Sequence, residues 1–284
     1  MANQEELGAF AGGVAVITGA GAGIGAGLAR YAATELDMTV VLADIDTAAV
    51  TKLGQELGAA GARTRPVTTD VRDSRSVDLL ADLVYEEVGP VRLLVNNAGV
   101  EQFGYLWDTP VANWNRLVEI NINGVFHGIR SFLPRLLAHR DGPPSYVLNL
   151  ASVGAVGASA LQAPYIMSKH AVLSITECLY LEVQAVGGNV RVGAVLPGIV
   201  TSDIFQSARS VDGGDLVAAE DHRRAMMAIR EGGMSPADAA QAIFEQAAAG
   251  EFYIVTHPEM VLAAMAARGD QLRDRRAPRV RRPG

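Results

Sequence analysis

Short runs of β-branched and aliphatic residues alternate along the chain with longer stretches whose apolar positions recur every three to four residues. This is the pattern of parallel strands joined by crossover helices. It predicts strands at Val14–Thr18, Thr39–Ala43, Thr64–Thr68, Val91–Val95, Ser145–Leu150, Val190–Leu196 and Phe252–Val255. Helices are predicted at Ile24–Leu36, Thr47–Leu57, Ser74–Val88, Val111–His139, Pro164–Val186, Pro236–Ala249 and Glu259–Arg273. Strands such as Val91–Val95 are apolar throughout, as expected when helices cover both faces of a sheet. The expected class is α/β, a doubly wound parallel sheet of about seven strands with helices on both faces.

Composition narrows the picture. The 284 residues are 49% apolar, include 30 glycines and carry a net charge of −7. That charge argues against general affinity for nucleic acid or acidic membrane surfaces. Glu5 and Glu6 stand where a secretory leader would be basic, and no run approaches the roughly 18 apolar residues of a membrane span. The expected location is cytoplasmic. Cys178, the only cysteine, reads as a small buried packing residue, and five scattered histidines give no metal pattern. No repeat or linker divides the chain, so one domain is expected. It comprises a core over about 12–201, an irregular substrate-covering segment over about 202–233, and a C-terminal helix with a basic tail over about 259–284. From Arg268 onward that tail holds seven arginines against two aspartates and reads as a solvated end, contact with an acidic partner being the other reading.

The first strand runs straight into Gly19-Ala20-Gly21-Ala22-Gly23-Ile24-Gly25 and then a helix. Glycines there let the backbone turn sharply and approach a pyrophosphate, which sits at the positive helix N-terminus. Asp44 follows Gly25 by 19 residues, close to the offset of a ribose-binding carboxylate; its other reading is a helix cap. A carboxylate accepts hydrogen bonds from both ribose hydroxyls of NAD and repels the 2′-phosphate of NADP. Neither Ala22 nor Ile45 is a basic residue that would hold that phosphate, so NAD is the expected cofactor and the sheet is expected to be Rossmann-type. The glycine loop, Asp44, Asp70, Asn97, Ser152 and Pro197 each fall at or just beyond the carboxyl end of a different predicted strand. Ligands bind at that edge in open parallel sheets.

Tyr165 and Lys169 lie four residues apart on one predicted helix, so their side chains share a face about 5–6 Å apart at Cβ. A free tyrosine ionises near pH 10. A neighbouring ammonium favours the phenolate, and a drop of about three units needs on the order of 4 kcal/mol.

Thr18-Gly19-x-x-x-Gly23-Ile24-Gly25, Asn96-Asn97-Ala98-Gly99, Asn121, Ser152, Tyr165-x-x-x-Lys169 and Pro197-Gly198-Ile199-Val200-Thr201 occur in this order. Together they resemble the short-chain dehydrogenase/reductase family over about residues 12–201. Ala151 stands where many relatives carry a second serine, and no tyrosine precedes Lys169 by seven residues as in enoyl-reductase relatives. The resemblance implies an NAD-dependent oxidoreductase that interconverts a secondary alcohol and its ketone. Tyr165 would be the general acid/base and Ser152 a donor to the substrate oxygen. Lys169 would bind the nicotinamide ribose and tune Tyr165, while Asn121 would hold a water for proton relay. Cofactor contacts would come from Gly19, Gly21, Ala22, Gly23, Ile24 and Gly25 in the first loop, and from Asp44 and Ile45 after the second strand. Asp70 and Val71 would face the adenine, with capping the other reading of Asp70. Asn97, Ala98 and Gly99, Tyr165 and Lys169, and Pro197, Gly198, Ile199, Val200 and Thr201 complete the implied set.

In this family the substrate is met mainly by the segment after Pro197-Gly198; further pocket candidates lie near Glu101–Tyr105, Val153–Gln162 and Ile199–Gly233. Ile204, Phe205, Leu216, Val217, Met226, Met227 and Ile229 would suit a bulky apolar substrate, and equally a pair of amphipathic helices packed on the body. Residues 252–259 resemble relatives acting on lignin-derived aryl ethers or terpenoids, which implies a cyclic, terpenoid, steroid-like or aromatic alcohol. A non-catalytic NAD-binding regulatory module and a 3-oxoacyl-type reductase remain as alternatives. Relatives also imply a homo-oligomer, dimer or tetramer, built on the two longest predicted helices.

Overall fold

The computed structural model describes residues 7–279. Seven strands, β1 (Val14–Thr18), β2 (Thr39–Asp44), β3 (Thr64–Thr68), β4 (Val91–Asn96), β5 (Ser145–Leu150), β6 (Val190–Leu196) and β7 (Tyr253–Val255), form one sheet in the order β3-β2-β1-β4-β5-β6-β7. Every pairing is parallel. The chain winds outward from β1 to β3, crosses back to β4 on the other side of β1, and winds outward again. Strand order therefore reverses between β1 and β4, and the loops after these strands part to leave a crevice.

The connections are α1 (Gly23–Thr34), α2 (Thr47–Ala59), α3 (Ser74–Leu83), α4 (Val111–Val118), α5 (Gly124–Ala138), α6 (Ala163–Ala185), α7 (Leu216–Glu231), α8 (Pro236–Ala248) and α9 (Pro258–Arg273). Leu28 of α1, Leu53 of α2 and Phe244 of α8 pack with Ala15 and Ile17 on one face of the sheet. Leu80 of α3, Phe132 of α5 and Val183 of α6 pack with Val14 and Val16 on the other. Burial on both sides explains why β1 has no polar alternation. Phe132 and Phe244 are fully buried, and truncating either to Ala would cost about 3–5 kcal/mol.

Four local features depart from the pattern read along the chain. The helix predicted over Val111–His139 is α4 and α5 joined by a π turn, Glu119–Asn123, whose extra residue turns Asn121 inward until it is 1% exposed. The helix predicted to reach Val88 likewise ends in a π turn, Val84–Val88. The segment expected to be irregular contains one helix, α7, capped by Asp215 through the Ala218 N–H at 2.9 Å. Cys178 is exposed rather than buried: with Ser174 and Leu181 it lies on the stripe of α6 that faces away from the sheet. In the basic tail, Arg273 pairs with Asp270 and Asp274, and Arg276 with Asp274; Arg281 and Arg282 lie outside the described residues. Among the described residues no helix is long and apolar enough to cross a membrane.

Candidate active site

Thr18, the last residue of β1, ties two loops together. Its Oγ1 donates to Val95 O at 3.3 Å and accepts from the backbone N–H groups of Asn97 (3.0 Å) and Ala98 (3.2 Å). The Asn97 amide donates in turn to Thr18 O (2.8 Å) and Gly19 O (3.0 Å). Gly19 takes a left-handed φ of 65°, and a Cβ on Gly25 would lie 2.1 Å from Gly19 O, so this turn requires glycine at both places. No side chain caps α1, which leaves its first N–H groups to a ligand.

Asp44 ends β2 with both oxygens directed by the backbone: Oδ2 accepts from the Gly21 N–H and Oδ1 from the Asp46 N–H, each at 2.9 Å. The cap of α2 is Asp46, through the Ala49 N–H at 3.0 Å, so Asp44 is not a capping residue. Asp70 does not cap either, because Asp73 caps α3 through the Arg75 N–H. Arg72 clasps Asp70 at 2.6 Å and holds its carboxyl below the usual carboxylate range.

The second group of polar residues gathers beyond β5. Ser152 Oγ accepts from the Gly154 N–H at 3.0 Å. Lys169 Nζ donates to Leu150 O at 2.8 Å and stands 5.6 Å from the centroid of the Tyr165 ring. Burial lowers the Lys169 ammonium to about 8, against the opposing pull of Glu101. Burial, then the Glu101 carboxylate, raises the Tyr165 phenol, while a hydrogen bond with Ser152 works the other way. Asn121 braces the loop: Nδ2 donates to Val100 O (2.9 Å) and Ser168 Oγ (3.0 Å), and Oδ1 accepts from the Val100 N–H (2.8 Å).

One cavity of about 510 Å³ joins the two groups. Its wall includes Gly19, Ala22, Gly23, Ile24, Asp44, Ile45, Asp70 and Val71 near the first three strands. It continues through Asn97, Ala98 and Gly99 to Ser152, Tyr165, Lys169 and Pro197, Gly198, Ile199 and Val200. Gly21, Gly25, Asn121 and Thr201 are not part of this wall. Thr201 instead pins the covering segment, its N–H donating to Met234 O at 2.9 Å. A family model described as short chain dehydrogenase matches residues 13–212.

The chain belongs to the short-chain dehydrogenase family. It is an oxidoreductase of that family, similar over 213 residues (36% identity, 73% of this chain, 75% of the relative) to the 1-deoxy-11-beta-hydroxypentalenate dehydrogenase of Streptomyces exfoliatus. A short-chain dehydrogenase/reductase from Burkholderia phymatum, solved in complex with NAD, superposes with a TM-score of 0.91 at 36% identity, over 96% of this chain and 99% of that one. The apo form of LigD from Sphingobium sp. strain SYK-6 superposes with a TM-score of 0.76 at 26% identity, over 95% and 100% of the two chains.

Several residues of this short-chain dehydrogenase site lie outside the motifs. Thr69, Arg72, Arg116 and Ile120 line the cavity. Ile120 and Arg116 are four apart on the helical face beside Asn121, a spacing that would have found them. Of the apolar residues in the covering segment, Ile204, Phe205 and Met226 reach the cavity, whereas Leu216, Val217 and Ile229 are exposed. Among the described residues no three His, Cys, Asp or Glu side chains gather as a metal site.

Proposed function

We propose that this short-chain dehydrogenase is NAD-dependent and interconverts a bulky apolar secondary alcohol and its ketone. The observation that carries the reading is the single cavity with Asp44 at one end and Ser152, Tyr165 and Lys169 at the other. The residues present fit the dinucleotide: an uncapped N-terminus of α1 suits a pyrophosphate, and the oriented Asp44 carboxylate suits a ribose diol. When bound, the nicotinamide supplies the acceptor or donor of hydride.

The chain's own residues handle the proton. The Gly154 N–H occupies a lone pair of Ser152, which leaves the hydroxyl proton for the substrate oxygen. Tyr165 takes the alcohol proton in oxidation and returns it in reduction. Lys169 spends one N–H on Leu150 O and keeps two for the cavity, while its charge favours the phenolate. Asn121 has both amide protons committed, and the second lone pair of Oδ1 is what it offers a water.

Ile204, Phe205 and Met226 give the substrate end its apolar cover, with the Phe205 ring tilted against Phe103 at 6.1 Å between centroids. The hydroxypentalenate dehydrogenase relative supports a hydroxyl-bearing substrate. A homo-oligomer through α5 and α6 belongs to the same reading, because Phe126, Tyr180 and Leu181 stand exposed there.

The test is NAD reduction by secondary alcohols ranging from short and polar to cyclic and aromatic, with Tyr165→Phe alongside. Bulky alcohols should give the highest kcat/KM, and Tyr165→Phe should lose about 10²- to 10⁴-fold in turnover. Near-normal turnover by Tyr165→Phe would overturn the mechanism; a clear preference for short polar alcohols would overturn the substrate class.

A further inference from the structure

Glu101 is a carboxyl group where the fold offers almost no water: the residue is 1% exposed, just past the Asn97–Gly99 turn. Its Oε1 accepts from the Gln102 N–H at 2.9 Å and its Oε2 from Gln162 Nε2 at 3.1 Å. Gln162 lines the cavity immediately before α6, three residues from Tyr165, and its main-chain oxygen accepts the Ile166 N–H. The main-chain oxygen of Glu101 accepts from the Arg209 N–H, which ties it to the covering segment. Glu101 therefore connects the cover, the cavity wall and the first turn of the helix that carries Tyr165 and Lys169.

Hydrogen bonding alone does not account for a carboxyl here. Among the described residues no cation comes within ion-pair distance of Glu101, and burying a charge without a direct partner is costly. A glutamine would avoid that cost, its Nε2 donating to Gln162 Oε1 once the Gln162 amide is turned over.

We propose that Glu101 is a positioning residue for the reaction at Tyr165: it locks the Gln162 amide at the cavity wall and, when ionised, opposes ionisation of the tyrosine. The inference rests on the reading of Tyr165 as the proton-transfer group. Two titratable groups sense Glu101, Lys169 and Tyr165, both on α6. Among the described residues of the covering segment, the Arg209 N–H is the one group hydrogen-bonded to Glu101, and the Arg209 guanidinium binds Asn113 Oδ1 at 3.1 Å. Burial pushes Glu101 up to about 8, while its hydrogen bonds and Lys169 pull it back. Once ionised, Glu101 holds the proton on Lys169 and raises Tyr165. Removing its charge lets Tyr165 ionise at lower pH.

The experiment is the pH profile of kcat/KM for alcohol oxidation in the full chain with NAD. Glu101→Gln keeps the size and loses the charge. Where Glu101 is ionised in the parent protein, above about pH 8, the acid limb of Glu101→Gln should lie about one pH unit lower, roughly tenfold more relative activity at a given pH on that limb. Glu101→Asp keeps the charge and should hold the limb near that of the parent protein. Gln162→Met removes the bond that favours the charged form of Glu101 and should move the limb down by less; it serves if Glu101→Gln does not fold. An unmoved or raised limb in a folded Glu101→Gln or Gln162→Met protein overturns the proposal. Tyr165→Phe separates the two readings. If it stays active the proton-transfer assignment fails, and if it is inactive while the Glu101→Gln and parent profiles superimpose, only the role of Glu101 fails.

Discussion

Gly21 and Asp44 meet at the carboxyl edge of the sheet, the Gly21 N–H donating to Asp44 Oδ2 over 2.9 Å. One contact thus sets both the shape of the glycine turn and the direction of the carboxylate. A ribose diol at that carboxylate is favoured and a 2′-phosphate repelled, so NAD should give the higher kcat/KM. Asp44→Ala combined with Ile45→Arg should move the ratio towards NADP by on the order of 10- to 100-fold. Steady-state kinetics with both cofactors decide this, and a parent protein that prefers NADP would refute it.

In the proposed mechanism Lys169 and Glu101 act on Tyr165 with opposite sign. Replacing Lys169 by Ala removes the cation that favours the phenolate, so the acid limb of alcohol oxidation should move to higher pH. Turnover should fall about 100-fold and the KM for NAD should rise. Burial sets Lys169 near 8, so its help to Tyr165 fades as pH rises through that value. An acid limb of Lys169→Ala at the same pH as the parent protein's, or at lower pH, would contradict this account.

Glu101 should also leave a mark on stability. Its ordinary value of 4.5 is raised to about 8 in the fold, so the native protein keeps a proton that the unfolded chain releases. The stabilisation is fully present below pH 4.5 and is lost as pH rises through 8. Thermal unfolding of Glu101→Gln, relative to the parent, should therefore improve steadily from pH 5 to pH 8. A difference in Tm that stays constant over that range would show that Glu101 does not titrate there.

The outward faces of α5 and α6 carry Phe126 (53% exposed), Tyr180 and Leu181 (65% exposed). If these faces join copies of the chain, sedimentation at micromolar concentration should show a dimer or tetramer. Phe126→Arg with Leu181→Arg should then yield a smaller species with the fold intact by circular dichroism. A monomeric parent protein would end this idea.

Local rules were legible along the chain. All seven strands came from short β-branched or aliphatic runs, and the start of α8 came from Ser235, whose Oγ accepts the Asp238 N–H at 3.1 Å, followed by Pro236. The glycine loop and the Tyr165–Lys169 spacing were equally plain, because such features depend on residues within a turn of one another. Tertiary packing decided that Asn121 turns inward at a π turn and that Cys178 faces outward. It also decided that Glu101 is buried against Gln162, 61 residues away. A side chain's periodicity tells which helices and strands form. What covers each face, and how much water reaches a carboxyl there, depends on segments far apart in sequence that meet only once the sheet has assembled.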